Sequence, residues 1–290
     1  MKIEPQWWHK ETDPDGLKDF YHCELCFHEC RIPVGGMGYC GARGAGDEGF
    51  LSPYLGKFIS CAVDPIEKKP LYHWRPGSKI LSLGSLGCNM RCPFCQNHTI
   101  ARPRSPLALT SLPVDALLAK AKSLNLDSVA YTYNEPILQA EYILTAAPLL
   151  KENGIATVVV TNGMCSPDAL RALSPMVAAA NVDVKTFNPQ TYTRLGGSLE
   201  VVKNTVGNFL RSGVHVELTT LVVPQISDDI NEFTALVDWA AGLSPDIPLH
   251  ISRYFPAGEF MAPPTDLNLL KRLQDLASLK LKHVYLGNVG

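Results

Sequence analysis

A chain of 290 residues, 46% hydrophobic and 19% charged, can bury a core of the size needed for one large α/β domain or two small ones, and is not a disordered polymer. Its formal net charge of −2 carries no global pull toward nucleic acid or anionic membranes, so neither is an expected partner. No window of about 18 apolar residues argues for a membrane span, and the start, MKIEPQWWHK, lacks an apolar stretch behind its charges, so the expected location is the cytoplasm.

In chain order, residues 1–50 are rich in Gly, Cys and His and carry no long periodic segment. So short a piece cannot build a sufficient core alone, which points to a small metal-stapled module. Residues 51–78 read as a connector. From residue 79 to 290, apolar β-branched runs alternate with helical spacing. Strands are expected at Lys79–Gly84, Ser128–Tyr133, Ala156–Thr161, Ala180–Phe187, Val214–Val223, Pro248–Phe255 and His283–Val289. Helical spacing lies between them at Pro113–Ser123, Ile137–Asn153, Leu199–Ser212 and Asp229–Ala241, and Ser166-Pro167-Asp168 and Ser227-Asp228-Asp229 read as helix starts. Alternation of this kind implies parallel βαβ units. Six or seven units predict a partial (β/α)6-type barrel, with a doubly wound sheet as the competitor. Polar residues at the strand ends favour the barrel, because there all strand C-termini share one face.

Nine cysteines occur, eight of them before residue 100, a clustering that in a reducing compartment means metal or redox chemistry rather than disulfides. Cys88, Cys92 and Cys95 lie in the loop after the first strand of the barrel. Three thiolates suit an iron–sulfur cluster with one open iron, or a structural zinc with His98 as fourth ligand. Cys23, Cys26, Cys30 and Cys40 can close a zinc site or hold a further iron–sulfur cluster, with His22 and His28 as alternative ligands or, more simply, solvated loop residues. Cys61 and Cys165 read as small buried side chains. Glu135 could equally be a helix cap before Pro136, and Asp183 and Lys185 a plain ion pair, although charges in an apolar central strand call for a function.

The run GCNMRCPFCQN resembles the signature of radical S-adenosylmethionine (SAM) enzymes, with Phe94 in the aromatic position. YNEPILQAEYI, Thr161-Asn162-Gly163 and Asp183-Val184-Lys185 are similar to segments of pyruvate formate-lyase activating enzymes. CELCFHEC, AVDPIEKKPLYHWRPGS, CQNHTI and HISRYFP…HVYLGNV bring the chain nearest to the AmmeMemo-system radical SAM proteins. This resemblance implies a partial barrel, a [4Fe–4S] cluster on Cys88, Cys92 and Cys95, and S-adenosylmethionine chelating the open iron. It places Phe94 near the adenine and Tyr133, Asn134 and Glu135 at the methionine amino end. Asp183 and Lys185 would bind the methionine zwitterion, and Arg253 would take a carboxylate-holding role. The implied activity is reductive cleavage of S-adenosylmethionine to a 5′-deoxyadenosyl radical that abstracts a hydrogen atom. The substrate would be a glycine of a partner protein or, alternatively, a small molecule, RNA or another protein residue. A flavodoxin- or ferredoxin-type reductant is implied as a partner. A non-enzymatic metal-binding scaffold or electron carrier is the reading from a different class.

Overall fold

In the computed structural model, which describes residues 3–16 and 18–289, the N-terminal region folds as two small antiparallel sheets. The first joins β1 (Trp8–Thr12), β2 (Asp19–Cys23) and β3 (Cys30–Pro33). The second is the hairpin of β4 (Gly44–Gly46) and β5 (Gly49–Leu51). Too few apolar residues stand here to close a separate core, and Leu25, Ile32, Cys40 and Ala42 bury instead in one cluster with Met90, Phe94, Leu138 and Cys165. A buried ion pair adds to this seam: Arg43 Nη1 donates to Glu141 Oε1 at 2.7 Å, and Gln6 N donates to the same oxygen at 2.8 Å.

Next come β6 (Lys57–Phe58), β7 (Ser60–Pro65) and β8 (Lys79–Gly84), followed by α1 (His98–Ala101), β9 (Thr110–Ser111), α2 (Val114–Ser123) and β10 (Ser128–Tyr131). The chain continues through α3 (Ala140–Glu152), β11 (Ala156–Thr161), α4 (Pro167–Leu173), β12 (Ala179–Asp183), α5 (Pro189–Arg194), α6 (Leu199–Arg211) and β13 (His215–Val222). It ends with α7 (Ile230–Leu243), β14 (Leu249–Arg253), α8 (Leu267–Ser278) and β15 (Val284–Gly287). All seven strands expected after residue 79 are present. The helix-start signals act as read: Ser166 Oγ accepts from Ala169 N, and Asp229 from Asn231 N and Glu232 N. Helices α5 and α8 were not anticipated. Both begin on side-chain caps, Asn188 and Asp266.

The main sheet has eight strands in the order β15-β14-β13-β12-β11-β10-β8-β7, parallel throughout except for β7. Sequential strands are spatial neighbours, with no reversal of winding. A doubly wound sheet would reverse its order at a switch point, so the barrel reading holds. Among the described residues β7 and β15 do not pair with each other, and the barrel is partial.

Strand register decides what each face does. Leu81, Val129, Val159, Val182, Leu218 and Ile251 face outward into the main core. Ile80, Ala130, Val158 and Ala179, near the strand starts, face inward and form a second small core with Ile66 and Leu71 of the connector. The connector thus plugs the barrel floor. Its backbone is tied there by Glu217, whose carboxylate accepts from Tyr72 N (3.0 Å), His73 N (2.7 Å), His250 Nε2 (2.7 Å) and His215 Nε2 (3.0 Å). These donors outweigh the cost of burial and hold the Glu217 carboxyl down at about 2. Cys61 departs from expectation: it is exposed, on β7 at the edge of the main sheet.

Candidate active site

The loop after β8 lies at the C-terminal ends of the parallel strands, the end opposite the plug. Its entry depends on Gly87, whose φ of +92° is left-handed and whose missing Cβ would stand 2.8 Å from Cys40 O. Asn134 brackets this turn, its Oδ1 accepting from Ser85 N at 2.9 Å and its Nδ2 donating to Gly87 O at 3.0 Å. Asn97 Nδ2 donates to Tyr133 O at 2.8 Å and ties the far side of the loop back to β10. Behind the loop, Glu259 N donates to Pro93 O at 2.8 Å, and Arg102 Nη2 to Cys92 O at 3.2 Å.

The sulfurs sit among donors. Cys88 Sγ accepts from Met90 N at 3.4 Å and lies 3.7 Å from Asn162 Nδ2. Burial pushes the Cys92 thiol up to about 11, opposed by the Lys185 ammonium, and pushes Cys88 higher still with Glu135 adding to it. A metal that replaces the protons removes this cost, since a bound thiol is deprotonated. Lys185 Nζ pairs with Asp183 Oδ2 at 2.8 Å, and both side chains are largely buried on the inner wall of the barrel. Asp183, Cys92 and Cys95 raise the Lys185 ammonium against its desolvation, so it stays charged beside the cysteine loop.

Glu135 is buried at the start of a short 3-10 turn, Pro136–Gln139, and caps it through Ile137 N at 3.0 Å. The same carboxylate accepts from Thr161 Oγ1 at 2.6 Å and Asn162 N at 2.9 Å. Capping and site-building are therefore one arrangement, linking the ends of β10 and β11. Burial lifts its carboxyl to about 7, with the three donors and Lys185 pulling the other way.

The other expected residues are placed differently. Phe94 is buried under the loop in the main core. Tyr133 holds a left-handed φ of +72°, and its phenol donates to Asp64, which also pairs with Lys69 at 2.7 Å. Arg253 Nε donates to Thr265 O at 3.0 Å, and its guanidinium lies over the Phe255 ring. His98 Nδ1 contacts Cys95 O at 3.2 Å in an exposed position. His28 is not the solvated residue expected: it stacks on Tyr39 and contacts Asn89 O at 2.8 Å. His22 lies in β2 and pairs with Glu11. Asn89 had no signal of its own beyond sitting between cysteines, yet its Nδ2 donates to Met164 O and its Oδ1 accepts from Asn162 Nδ2.

The sequence profile of the radical SAM superfamily matches residues 83–239, from the end of β8 into α7. The chain belongs to the radical SAM superfamily. Members of this superfamily use a [4Fe–4S] cluster and S-adenosylmethionine, and the soft donor set of Cys88, Cys92 and Cys95, with N–H groups aimed at sulfur, fits such a cluster. An uncharacterized protein of Methanocaldococcus jannaschii is 34% identical over 272 residues, covering 92% of this chain and 81% of its own. A putative glycyl-radical enzyme activating enzyme of the same organism is 25% identical over 151 residues, 49% of this chain and 61% of that one. Among solved structures, Streptococcus suis SuiB bound to S-adenosylmethionine has a TM-score of 0.55 at 18% identity, covering 73% of this chain and 52% of that one. A radical SAM methyltransferase from Sphaerobacter thermophilus has a TM-score of 0.54 at 14% identity over 96% of this chain and 75% of its own. These two likenesses concern the fold. Among the described residues no helix is long and apolar enough to cross a membrane.

Proposed function

We propose that this radical SAM protein is an enzyme that cleaves S-adenosylmethionine reductively and abstracts a hydrogen atom from a substrate at the barrel mouth. The observation that carries this reading is the convergence of Cys88, Cys92 and Cys95 with the charged Lys185–Asp183 pair at the strand C-termini. When bound, the cluster supplies one electron to the sulfonium, and the organic chemistry belongs to the cofactor. The chain's residues bind, orient and shield. Cys88, Cys92 and Cys95 would hold three irons and leave the fourth for the methionine amino and carboxylate groups.

Lys185 would face the methionine carboxylate with a charge-assisted bond, held in line by Asp183. Glu135 would take the methionine ammonium on Oε2, which accepts one bond from Asn162 N. Asn134 and Tyr133 would act by positioning, since the Asn134 amide is spent on the loop backbone and the Tyr133 phenol on Asp64. Phe94 would buttress the loop from below, near the adenine side. Arg253 would reach a carboxylate only with the nitrogens its bond to Thr265 leaves over.

The finer reading is a glycyl-radical activase, which takes its hydrogen from a glycine of a partner protein and its electron from a flavodoxin- or ferredoxin-type donor. It is supported by the likeness to the activating-enzyme relative and by the YNEPILQAEYI segment. The test is anaerobic reconstitution, reduction with dithionite and addition of S-adenosylmethionine. Wild type should form 5′-deoxyadenosine, and the triple variant C88A/C92A/C95A should form none. A wild-type protein loaded with iron at this loop that forms none overturns the proposal.

A further inference from the structure

We infer that Cys23, Cys26, Cys30 and Cys40 hold a second [4Fe–4S] cluster, wired to the catalytic loop through the contact between Cys40 and Cys88. The relay rests on the loop cluster proposed above; the site itself does not.

Local structure brings the four sulfurs together. Cys23 and Cys30 are cross-strand partners on β2 and β3. The turn between them closes with Glu29 N donating to Cys26 O at 3.2 Å, and this carries Cys26 to the same end. Cys26, Cys30 and Cys40 each lie within electrostatic reach of Cys23. Every sulfur has a donor or a cation beside it. Tyr39 N donates to Cys30 Sγ at 3.4 Å and Ala42 N to Cys40 Sγ at 3.5 Å, while the Asn89 side chain meets Cys26 and the Arg43 guanidinium Cys23. Four anionic sulfurs gathered with donors form a complete ligand set for a closed cluster, and such donors tune its potential.

A zinc staple would have little to hold here, since the module's apolar side chains share the main core and Arg43 ties it to Glu141.

Position then gives the site its use. Cys88 N donates to Cys40 O at 3.3 Å, so one hydrogen bond joins the backbone of a ligand from each group. Gly87 makes this approach possible by having no Cβ. Asn89, next to Cys88, meets Cys26 through its side chain and His28 through its carbonyl. Of the four ligands only Cys30 is partly exposed. An electron from a one-electron carrier of the flavodoxin or ferredoxin class enters on the Cys30 side, reducing this cluster from 2+ to 1+. It leaves across the Cys40–Cys88 contact, reoxidising this cluster and reducing the loop cluster by one electron, with no bond or proton changed.

The experiment uses the full chain, reconstituted anaerobically with iron and sulfide, as wild type, as C88A/C92A/C95A and as C23A/C26A/C30A/C40A. Iron and sulfide should fall from about eight of each in wild type to about four in either variant. Dithionite-reduced C88A/C92A/C95A should show a [4Fe–4S]1+ electron paramagnetic resonance signal. The reduced wild type should show a spectrum broadened by spin–spin coupling. If C88A/C92A/C95A carries one zinc and no iron, the second cluster is overturned, even where wild type still forms 5′-deoxyadenosine. A wild-type spectrum equal to the sum of the two variants overturns the relay. Should C23A/C26A/C30A/C40A not fold, iron content and spectrum of C88A/C92A/C95A decide the site alone.

Discussion

Replacing Glu141 by Ala strands a charge in the seam between the N-terminal module and the barrel. Arg43 and Glu141 have side-chain exposures of 1% and 0%, and Glu141 Oε1 accepts from both Arg43 Nη1 and Gln6 N. With the acceptor gone the guanidinium keeps its bond to Gln6 O and its place beside the Cys23 sulfur. An uncompensated buried charge costs roughly 3–5 kcal/mol. For a chain of this size that lowers the melting temperature by roughly 2 °C or more per kcal/mol. Among the described residues Arg43 Nε and Glu141 Oε2 have no hydrogen-bond partner, so the pair is incompletely satisfied there. The double variant R43M/E141L should therefore recover most of the loss and could exceed wild type. The assay is urea unfolding of the three proteins under reducing conditions, followed by far-UV circular dichroism. A loss below about 1 kcal/mol for E141A, or a double variant no better than E141A, would refute the reasoning.

Further expectations can be checked in the same preparations. K185A should weaken S-adenosylmethionine binding about 10- to 100-fold by calorimetry, the worth of one charge-assisted bond, while K185R loses less. Glu217 has its carboxyl held at about 2, so its contribution is present above the ordinary carboxylate range and drains as pH falls toward 2. Unfolding of wild type against E217Q between pH 6 and 3 should show a difference shrinking by about 2 kcal/mol. Glu135 has the opposite sign: its carboxyl is raised to about 7, so the fold without cofactor is favoured below the ordinary carboxylate range and loses stability as pH climbs through 7. In E135Q that slope between pH 5 and 8 should flatten, and an unchanged slope would place the titration elsewhere.

Local periodicity and cap chemistry already contained much of this fold. Seven β-branched runs became the seven parallel strands of the main sheet, because a parallel strand buried on both faces must be apolar nearly throughout. The spacing of Cys88, Cys92 and Cys95 likewise marked the loop, since all three sit within eight residues. The pairing of Asp183 with Lys185 was also legible, because strand residues two apart share a face. What sequence could not show was anything that depends on register or on residues far apart in the chain.

Cys61 looked like a core residue, yet only the sheet order makes β7 an edge strand. Asn134 is a polar residue in a promising motif, yet only tertiary contact shows its amide spent on Ser85 and Gly87. Glu217 sits inside an apolar run without explanation until the connector folds onto it from some 145 residues away. The fourfold cysteine group could be counted from the sequence, whereas its meeting with Cys88 required the module to dock. Elements are encoded by neighbours within a few residues, while sites at the mouth of a barrel are assembled by packing, and packing is a property of the whole chain.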